Sequence, residues 1–505
     1  MRSRRDGAVS GRGRDVGDRL RHGAPADQPT RGTGEDPEEQ TDAGPPEVAT
    51  HAAIVGLLPP TLAPVSDPTA GEGRSLRHGS RLDAYVDRYA ERTLGMTASQ
   101  IRALFAVASR PEVVSLAGGM PTIASLPLDV IGDQMADLVR GHGQTALQYG
   151  SGQGDPLLRE QITDVMHTVG ISGHPDDVVV TVGSQQALDL VTRIFIDPGD
   201  TILAEAPSYV GALSTFRSYQ AVVHHVAMDD HGLVPEALRD AIRAAHARGS
   251  RPTFLYTIPS YHNPAGVTQT EQRRKEVLAI AEEADLLVIE DDPYGLLGFS
   301  GPPPRALRAD AEDRVIYLGS FSKTFAPGLR VGWVLAPHAV REKLVLAAEA
   351  SVLCPPSLNQ MVVSRYLAQS DWMGQVEVFR GLYRERRDAM LSSLHELFPA
   401  GSHWTQPEGG FYVWLTLPEG LDSQAMLPRA VTERVAYVPG TAFYADGFGT
   451  REMRLSYCFP TPERIREGVR RLAAVVEAEL DLVRTFGPGH LASRAGMGLP
   501  GPDLA

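Results

Sequence analysis

The sequence predicts an α/β fold in which a large domain, built on a mostly parallel sheet sandwiched by helices, precedes a smaller α+β domain. Three observations lead to this prediction. Short apolar segments alternate with helical segments between about residues 126 and 345. Polar motifs directly follow several of the apolar segments, where open α/β sheets bind their ligands. After about residue 345, long helical stretches lead to a few short strands, which indicates a different architecture.

Six segments have the length and apolar composition of buried strands. In chain order they are 177–182, 201–204, 253–258, 286–289, 315–318 and 330–335. Helical segments separate most of them. One is 271–284, where Thr268 and Glu271 have the spacing of a capping box and the apolar residues fall on one face. Strands that alternate with helices in this way are typical of a parallel sheet covered on both sides.

The C-terminal part shows another pattern. It predicts helices at 341–351, 357–370 and 375–397, strands at 410–417 and 453–457, and a closing helix at 462–482. We therefore divide the chain into a disordered N-terminal extension (1–80), an N-terminal arm (81–125), a large domain (126–345), a small C-terminal domain (346–485) and a flexible tail (486–505). The extension is rich in Gly, Pro, Arg, Asp and Thr, which bury too little apolar surface to offset chain entropy.

The composition argues against several classes of partner. The 505 residues are 42% hydrophobic, enough for a large core, and the net charge of −14 argues against nucleic acid or an anionic membrane. No apolar run reaches the ~18–20 residues of a transmembrane helix. The two cysteines, Cys354 and Cys458, favour a reducing compartment, and we expect a cytoplasmic protein.

The most informative segment is 320–333, because it places one lysine at the end of an apolar strand. Ser320 and Ser322 precede Lys323, and Arg330 follows it by seven residues. A lysine that attacks a carbonyl carbon has to lose its proton and to meet a preorganised partner. Pyridoxal phosphate (PLP) provides an aldehyde for the lysine and a phosphate for the hydroxyls and the arginine. For Lys323 alone a surface position is the alternative, but the whole segment favours the cofactor.

Two further motifs suit the same cofactor. Gly183, Ser184 and Gln185 follow a strand and open a helix, whose first amide groups carry partial positive charge and suit a phosphate. Tyr209 follows the next strand, where an aromatic ring can cover the face of a pyridine ring. Taken alone, the first motif is also compatible with a simple helix cap, and Tyr209 with ordinary packing.

Other strands are followed by groups that match the rest of the cofactor and its substrate. Asn263 and Tyr294 can hydrogen bond the phenolate oxygen of the ring. A carboxylate at the ring nitrogen keeps that nitrogen protonated, so that the ring accepts an electron pair. Spacing alone leaves Asp291 and Asp292 as alternatives for this carboxylate. Arg454 lies on a short strand, and its guanidinium fork matches the α-carboxylate of an amino acid.

Together these motifs resemble fold-type I PLP-dependent aminotransferases of class I/II. The resemblance covers about residues 90–482 and points to the 2-aminoadipate aminotransferase-like subgroup, which includes kynurenine and aromatic aminotransferases. The segments that resemble this subgroup are 96–102 (MTASQIR), 115–121 (SLAGGMP), 147–150 (LQYG) and 439–441 (PGT). The family fold implies a seven-stranded, mostly parallel sheet in the large domain.

The resemblance implies catalytic roles for three residues. Lys323 is the Schiff-base lysine and proton shuttle, Asp291 meets the pyridine nitrogen, and Tyr294 holds the phenolate oxygen. The other residues implied to bind the cofactor are Asn263 at the phenolate oxygen, Tyr209 on the ring, and Gly183, Ser184, Gln185, Ser320, Ser322 and Arg330 at the phosphate.

The resemblance also implies contacts with a partner and a substrate. Tyr149 reaches the phosphate of the neighbouring subunit, which implies a homodimer with shared active sites. Arg454 and Gly119 position the substrate carboxylate. Arg102 lies in the arm that folds over the active site in this family, where a mobile arginine meets an acidic side chain or swings away from an apolar one. The alternative for Arg102 is a solvated helix residue.

The implied activity is transfer of the amino group of an L-amino acid (2-aminoadipate or glutamate, aromatic or branched aliphatic) to a 2-oxo acid such as 2-oxoglutarate. Motifs around the cofactor do not separate this reaction from elimination, cyclisation or oxidation in a specialised pathway. The same domain also occurs in transcription regulators, but residues 1–80 show no helix-turn-helix pattern. His224 and His225 have no matching cluster of ligands, so we expect no metal.

The chain departs from the subgroup pattern just before Asn263. Residues 260–262 are Ser-Tyr-His where the subgroup often has Phe-Gln, and Ala265 replaces a frequent Thr. Neither change removes a catalytic group. We interpret His262 as a residue of the pocket wall rather than as a second base.

Overall fold

The computed structural model describes residues 85–96 and 110–487. The strands within these ranges are β1 Val114–Ser115, β2 Val178–Thr181, β3 Thr201–Ala206, β4 Val222–Asp229, β5 Gly232–Leu233, β6 Pro252–Thr257, β7 Leu287–Asp291, β8 Val315–Ser320, β9 Gly332–Leu335, β10 His403–Trp404, β11 Tyr412–Thr416, β12 Val435–Ala436, β13 Val438–Pro439 and β14 Glu452–Ser456. The predicted extension at 1–80, Arg102 and all but the first two residues of the predicted tail lie outside the described residues.

The α-helices within the same ranges are α1 Leu128–Ala146, α2 Pro156–His167, α3 Ser184–Phe195, α4 Val210–Ser218, α5 Pro235–Ala247, α6 Glu271–Glu283, α7 His338–Val352, α8 Ser357–Gln369, α9 Trp372–Leu397, α10 Ser423–Thr432 and α11 Pro462–Phe486. Short 3₁₀ helices lie at Val86–Arg88, Glu91–Gly95, Pro175–Asp177, Leu307–Ala309, Pro327–Leu329 and Gly440–Phe443. In the part of the chain that the structure describes, no helix is both long and apolar enough to cross a bilayer.

The large sheet has the strand order β2-β9-β8-β7-β6-β3-β4-β5. Its five central strands, from β8 to β4, run parallel, whereas β9 and β5 run antiparallel to their neighbours. This confirms the predicted mostly parallel sheet. The count of eight exceeds the seven that the resemblance implies, because the chain turns back after β4 and Gly232–Leu233 pairs with its end.

One long strand of this sheet, β4, was not among the predicted strands. Its segment contains His224 and His225, and few of its side chains are fully buried. The strand lies next to the sheet edge, where only the short β5 covers it. A half-exposed strand lacks the continuous apolar run that identifies its central neighbours.

Helices cover both faces of the sheet. The side chains of β3 alternate, so that Ile202 and Ala204 belong to one apolar layer and Leu203 to the other. The first layer includes residues of α3, α4 and α7, and the second includes residues of α5 and α6. Burial of each large aliphatic side chain in these layers stabilises the fold by about 1.5–3 kcal/mol.

The N-terminus of α6 differs from the predicted capping box. Thr270, not Thr268, precedes the helix, and its hydroxyl accepts a hydrogen bond from the Arg273 amide. The Thr268 hydroxyl instead accepts from the Tyr261 amide at 3.1 Å. The spacing was misleading because Thr268 serves a loop that folds back on itself before the helix begins.

The C-terminal part confirms the predicted α+β architecture. Strands β10, β11, β14 and β13 form an antiparallel sheet, and α9 and α11 share a core with it. Helix α11 extends to Phe486, beyond its predicted end. The domain boundaries at 125/126 and 345/346 stay predictions.

The topology brings the predicted motifs to one edge of the large sheet. Strands β8, β7, β6 and β3 are parallel neighbours, so their carboxyl ends meet there. Lys323, Asp291, Asn263 and Tyr209 lie at or just after these ends. This edge carries the candidate site.

Candidate active site

Lys323 lines a cleft at the carboxyl ends of the central strands. Its Nζ donates a hydrogen bond of 2.9 Å to the carbonyl oxygen of Gly119. Burial, together with the cations of Arg454 and Arg330, outweighs nearby anionic groups and lowers the lysine pKa to about 8. The amine therefore loses its proton more readily than an exposed lysine, as a nucleophile requires.

The structure distinguishes the two adjacent aspartates. Asp291 lines the cleft, and its Oδ2 accepts a hydrogen bond of 2.7 Å from the Tyr256 hydroxyl. Asp292 accepts from the Gly295 amide at 2.8 Å and from the Tyr317 hydroxyl at 3.1 Å. Both oxygens of Asp292 thus have protein partners, whereas Oδ1 of Asp291 is buried without one among the described residues.

The electrostatics of Asp291 suit a cationic partner. Burial raises its pKa to about 7, although the Tyr256 hydrogen bond opposes that rise. A positive charge placed at Oδ1 would supply the missing partner and favour the ionised carboxylate.

The start of α3 and the loop after β8 form an anion cradle. Gly183 precedes the helix with a φ of 74°, and a Cβ there would collide with the Arg330 guanidinium. Arg330, itself at φ 53°, donates to the Ser322 hydroxyl at 3.4 Å. Ser320 donates to Ser322 at 2.9 Å. The cradle therefore combines free helix amides, hydroxyls and one guanidinium, which together suit a phosphate.

Gln185 and Tyr209 contact each other beside this cradle. The Tyr209 hydroxyl donates to the Gln185 side chain at 3.2 Å, and the Gln185 amide donates to Thr215 of α4 at 2.9 Å. The Gln185 side chain is thus held by α4. Tyr209 lines the same cleft as Lys323. Burial raises the pKa of Tyr209 to about 12, so this phenol stays neutral.

Arg454 also lines the cleft. It is 3% exposed, and its Nη1 and Nη2 donate to Oδ1 of Asn263 at 3.0 Å and to the carbonyl oxygen of Ala117 at 2.8 Å. The guanidinium carbon lies 4.2 Å from the ring centre of Tyr412 and 5.0 Å from that of Phe443. The Nε atom is buried and has no partner among the described residues.

Tyr294 is buried at the cleft wall beside Tyr412. The two rings meet edge to face, with their centres 6.1 Å apart. Burial raises the pKa of both phenols, which keeps them neutral donors.

The cleft brings together most of the predicted site residues. Its lining includes Gly119, Met120, Ser184, Tyr209, Asn263, Asp291, Tyr294, Lys323, Tyr412 and Arg454. Tyr149 is 77% exposed and does not line the cleft of its own chain. Arg102 lies outside the described residues. His262 is buried and is not part of the lining, so its interpretation as a wall residue is wrong: its ring faces the sheet interior at Glu205.

The chemistry of this donor set fits PLP. An amine with a lowered pKa, an unpartnered carboxylate oxygen and an anion cradle match its aldehyde, pyridine nitrogen and phosphate. The family model described as aminotransferase class I and II matches residues 111–472. The chain belongs to this family.

Relatives agree with the assignment. The chain is 42% identical over 401 residues to the aromatic-amino-acid aminotransferase 1 of Thermococcus litoralis, covering 78% of this chain and 95% of the relative. It is 39% identical over 390 residues to the 2-aminoadipate transaminase of Thermus thermophilus, covering 76% and 96%. The crystal structure of Pyrococcus horikoshii kynurenine aminotransferase superimposes with a TM-score of 0.76 at 40% identity, covering 79% and 100%. This class I and II aminotransferase is therefore a PLP-dependent transaminase of amino acids.

Sequence reasoning missed two residues of the aminotransferase site. Tyr412 contacts Arg454 and Tyr294, and Tyr256 holds Asp291. Tyr256 did leave a signal, because a tyrosine within a buried strand needs a partner for its hydroxyl. No sequence pattern indicated a role for Tyr412, since the residues that it contacts are distant in the sequence.

Proposed function

We propose that this transaminase takes acidic (2-aminoadipate or glutamate), aromatic and branched aliphatic L-amino acids as donors and a 2-oxo acid such as 2-oxoglutarate as acceptor. The observation that carries the proposal is one cleft in which Lys323 and Arg454 face a shared space. The aromatic, 2-aminoadipate and kynurenine specificities in the names of the relatives support this range of donors.

Three residues are proposed to carry the chemistry. PLP would supply an aldehyde that takes up the amino group and a ring that accepts the electron pair left on the α-carbon when the α-proton departs. Lys323 holds the cofactor at rest, and its freed amine moves the α-proton. Asp291 keeps the pyridine nitrogen protonated through Oδ1. Tyr294 donates to the phenolate oxygen.

The remaining site residues are proposed to bind and orient. Tyr209 covers one face of the ring, and Asn263 donates to the phenolate oxygen. Arg454 binds the α-carboxylate, which the Gly119 backbone helps to place. The phosphate-binding residues are Gly183, Ser184, Gln185, Ser320, Ser322 and Arg330.

Arg102 is proposed to select acidic side chains. Loss of a well-desolvated charge pair costs on the order of 2–4 kcal/mol of transition-state binding. R102A should therefore lose activity on glutamate and 2-aminoadipate and keep it on leucine and phenylalanine. Equal loss on both groups, or none, would reject this role.

The active unit is proposed to be a cytoplasmic homodimer in which Tyr149 reaches the partner's phosphate. Support comes from Leu147 and Tyr149, which are 70% and 77% exposed, and from the free thiols of both cysteines. Mixing inactive K323A with Y149F tests the shared site. If Tyr149 acts across the interface, mixed dimers contain one complete site and regain activity. Activity no higher than that of Y149F alone would place Tyr149 outside the partner's site.

The experiment that tests the whole proposal is a panel of amino donors with 2-oxoglutarate as acceptor. The purified protein should absorb at the edge of the visible range, and K323A should lose that absorbance band and its turnover. Turnover of none of the three donor classes, or an unchanged spectrum in K323A, would contradict the proposal.

A further inference from the structure

A buried carboxylate lies behind the active site. Glu205, on β3, is completely buried. Its oxygens accept hydrogen bonds from the Thr257 hydroxyl at 2.7 Å, the Ile258 amide at 2.8 Å and the Gln269 side chain at 3.2 Å. Nε2 of His262 lies 3.1 Å from its Oε2. Glu205 does not line the cleft, so it contacts neither cofactor nor substrate there.

Glu205 is ionised in this setting. Burial raises its pKa, but His262 and the donors at Ile258 and Thr257 outweigh that effect, so the pKa lies below its ordinary value. A buried carboxylate with this many donors ties together the segments that supply them.

His262 has a defined tautomer. Its Nδ1 accepts a hydrogen bond of 3.1 Å from the Ala265 amide, so Nδ1 carries no proton. A neutral ring then carries its proton on Nε2, which faces Glu205. The ring is 1% exposed. The Nε2 contact with Glu205 is close but lacks the alignment of a hydrogen bond. Because the ring does not line the cleft, His262 is not a base for the reaction.

His262 is also the centre of the loop that presents Asn263. Its backbone amide donates to the carbonyl oxygen of Val267 at 2.8 Å, and its carbonyl oxygen accepts from the Gly266 amide at 2.6 Å. Together with the Nδ1 contact, these bonds close the loop around Asn263. The Nε2 contact joins the closed loop to β3 of the sheet.

Asn263 connects this hydrogen-bonded loop to Arg454 in the active site. Its Oδ1 is one of the two acceptors that orient the Arg454 guanidinium, the other being the carbonyl oxygen of Ala117. Movement of the 262–266 loop would therefore change the direction of the guanidinium fork without removing any group from the cleft.

We propose that His262 and Glu205 are a positioning pair, which fixes Asn263 and, through it, the Arg454 fork that receives the substrate carboxylate. This inference rests on the proposed role of Arg454. His262 belongs to the 260–262 segment, where this chain departs from the pattern of the subgroup, and the positioning role gives that difference a function. The pair acts on substrate binding and leaves the cofactor contacts of Lys323 and Asp291 in place.

Two substitutions test the two ring nitrogens of His262 separately. The Asn side chain in H262N places an acceptor at the distance of Nδ1 from the backbone and loses the contact with Glu205. The Gln side chain in H262Q places a donor at the distance of Nε2 and loses the acceptor for Ala265. E205Q removes the charge and keeps the shape. In each holoenzyme variant we expect KM for the amino donor to rise about threefold to tenfold, the range for one lost hydrogen bond, with kcat within about twofold.

The readouts distinguish positioning from general damage. Spectral titration with 3-phenylpropionate, an unreactive carboxylate, should show the same weakening as KM. Affinity for PLP should fall less, because Lys323, Asp291 and the phosphate-binding residues hold the cofactor independently of Asn263. Kinetics are measured well below the thermal midpoint, which should fall because buried polar groups lose a partner. H224N is the matched control, because His224 contacts Arg248 at the sheet edge, far from the loop. Unchanged KM and carboxylate binding in H262N, H262Q and E205Q would overturn the inference. So would an equal loss of PLP affinity.

A double-variant cycle with R454K tests the route. If His262 acts through Arg454, H262N should raise KM much less in the R454K background than in the parent. Fully additive effects would overturn the positioning role even if each single variant behaves as expected. An unchanged KM in R454K alone would instead reject the proposed role of Arg454, which is a separate failure.

Discussion

Nη1 of Arg454 donates a hydrogen bond of 3.0 Å to Oδ1 of Asn263, a residue 191 positions earlier in the chain. The contact joins the small antiparallel sheet, through β14, to the loop after β6 of the large sheet. A residue proposed to bind the substrate carboxylate is thus oriented by a residue proposed to bind the cofactor. This buried polar contact therefore links the placement of the two binding functions.

For substrate binding, the planar shape of the Arg454 guanidinium should contribute more than its positive charge alone. R454K keeps a cation but loses the planar fork and the contact with Tyr412. We expect a loss of about 2 kcal/mol or more, roughly thirtyfold in kcat/KM, mostly through KM. R451K is the control, because Arg451 donates to the carbonyl oxygen of Leu417 and does not line the cleft. Equal kcat/KM values for R454K and R451K would contradict the assignment.

The two adjacent aspartates should differ in their effect on turnover. D291N removes the charge that faces the cleft and should reduce kcat/KM by about 3 kcal/mol, or roughly two orders of magnitude. D292N removes a carboxylate held by Gly295 and Tyr317, so it should lower the thermal midpoint but leave kcat/KM within about threefold. Steady-state kinetics and thermal unfolding of both variants check the distinction. The reverse ranking in kcat/KM would show that Asp292 is the functional carboxylate.

Lys323 should accept the cofactor over a characteristic pH range. Burial lowers its pKa to about 8 from 10.5, and only the neutral amine attacks an aldehyde. The rate at which PLP reloads the cofactor-free protein should rise about tenfold per pH unit below 8 and level off above about pH 9. Stopped-flow absorbance measures this rate. An inflection near pH 10.5 would mean that the amine is not perturbed.

The cofactor-free protein should lose stability as Asp291 ionises. Burial raises the pKa of this carboxyl to about 7 in the folded state, from 3.8. Between these values the folded state binds a proton that the unfolded state does not, so the free energy of unfolding falls as pH rises. The slope is at most about 1.4 kcal/mol per pH unit for this one group.

The control for this pH dependence is D291N, which lacks the titrating group. Urea unfolding at pH 5 and pH 7 should show that the parent loses more stability than D291N between the two values. The same loss in both proteins would mean that Asp291 does not titrate in this window.

The fold was largely predictable because its central strands are buried on both faces and appear as short apolar runs. Positions that directly follow such strands, such as Lys323 and Asp291, were predictable for the same reason. The half-exposed β4 was not, because its histidines interrupt the apolar pattern. The cap at Thr270 was misassigned to Thr268, because both threonines have helix-start chemistry and only the loop geometry separates them.

Contacts between distant parts of the chain lay beyond sequence reasoning. The role of His262 depends on Glu205, which lies on β3, and no sequence pattern pairs these two residues. Spacing alone left Asp291 and Asp292 as alternatives, and only the family resemblance favoured Asp291. The physical difference between the two required Tyr256 and Tyr317, whose hydroxyls donate to Asp291 and Asp292 respectively. Local patterns identify the polar groups, and packing of distant segments determines which of them face the cleft.

The most direct test of transamination is a single turnover without an acceptor. The holoenzyme, mixed with excess glutamate or phenylalanine alone, should release one equivalent of 2-oxo acid per active site and keep the amino group as pyridoxamine phosphate. Addition of 2-oxoglutarate should then restore the original absorbance and release the second amino acid. Continuous release of ammonia, or product in excess of the sites without an acceptor, would contradict the account and indicate elimination or oxidation instead.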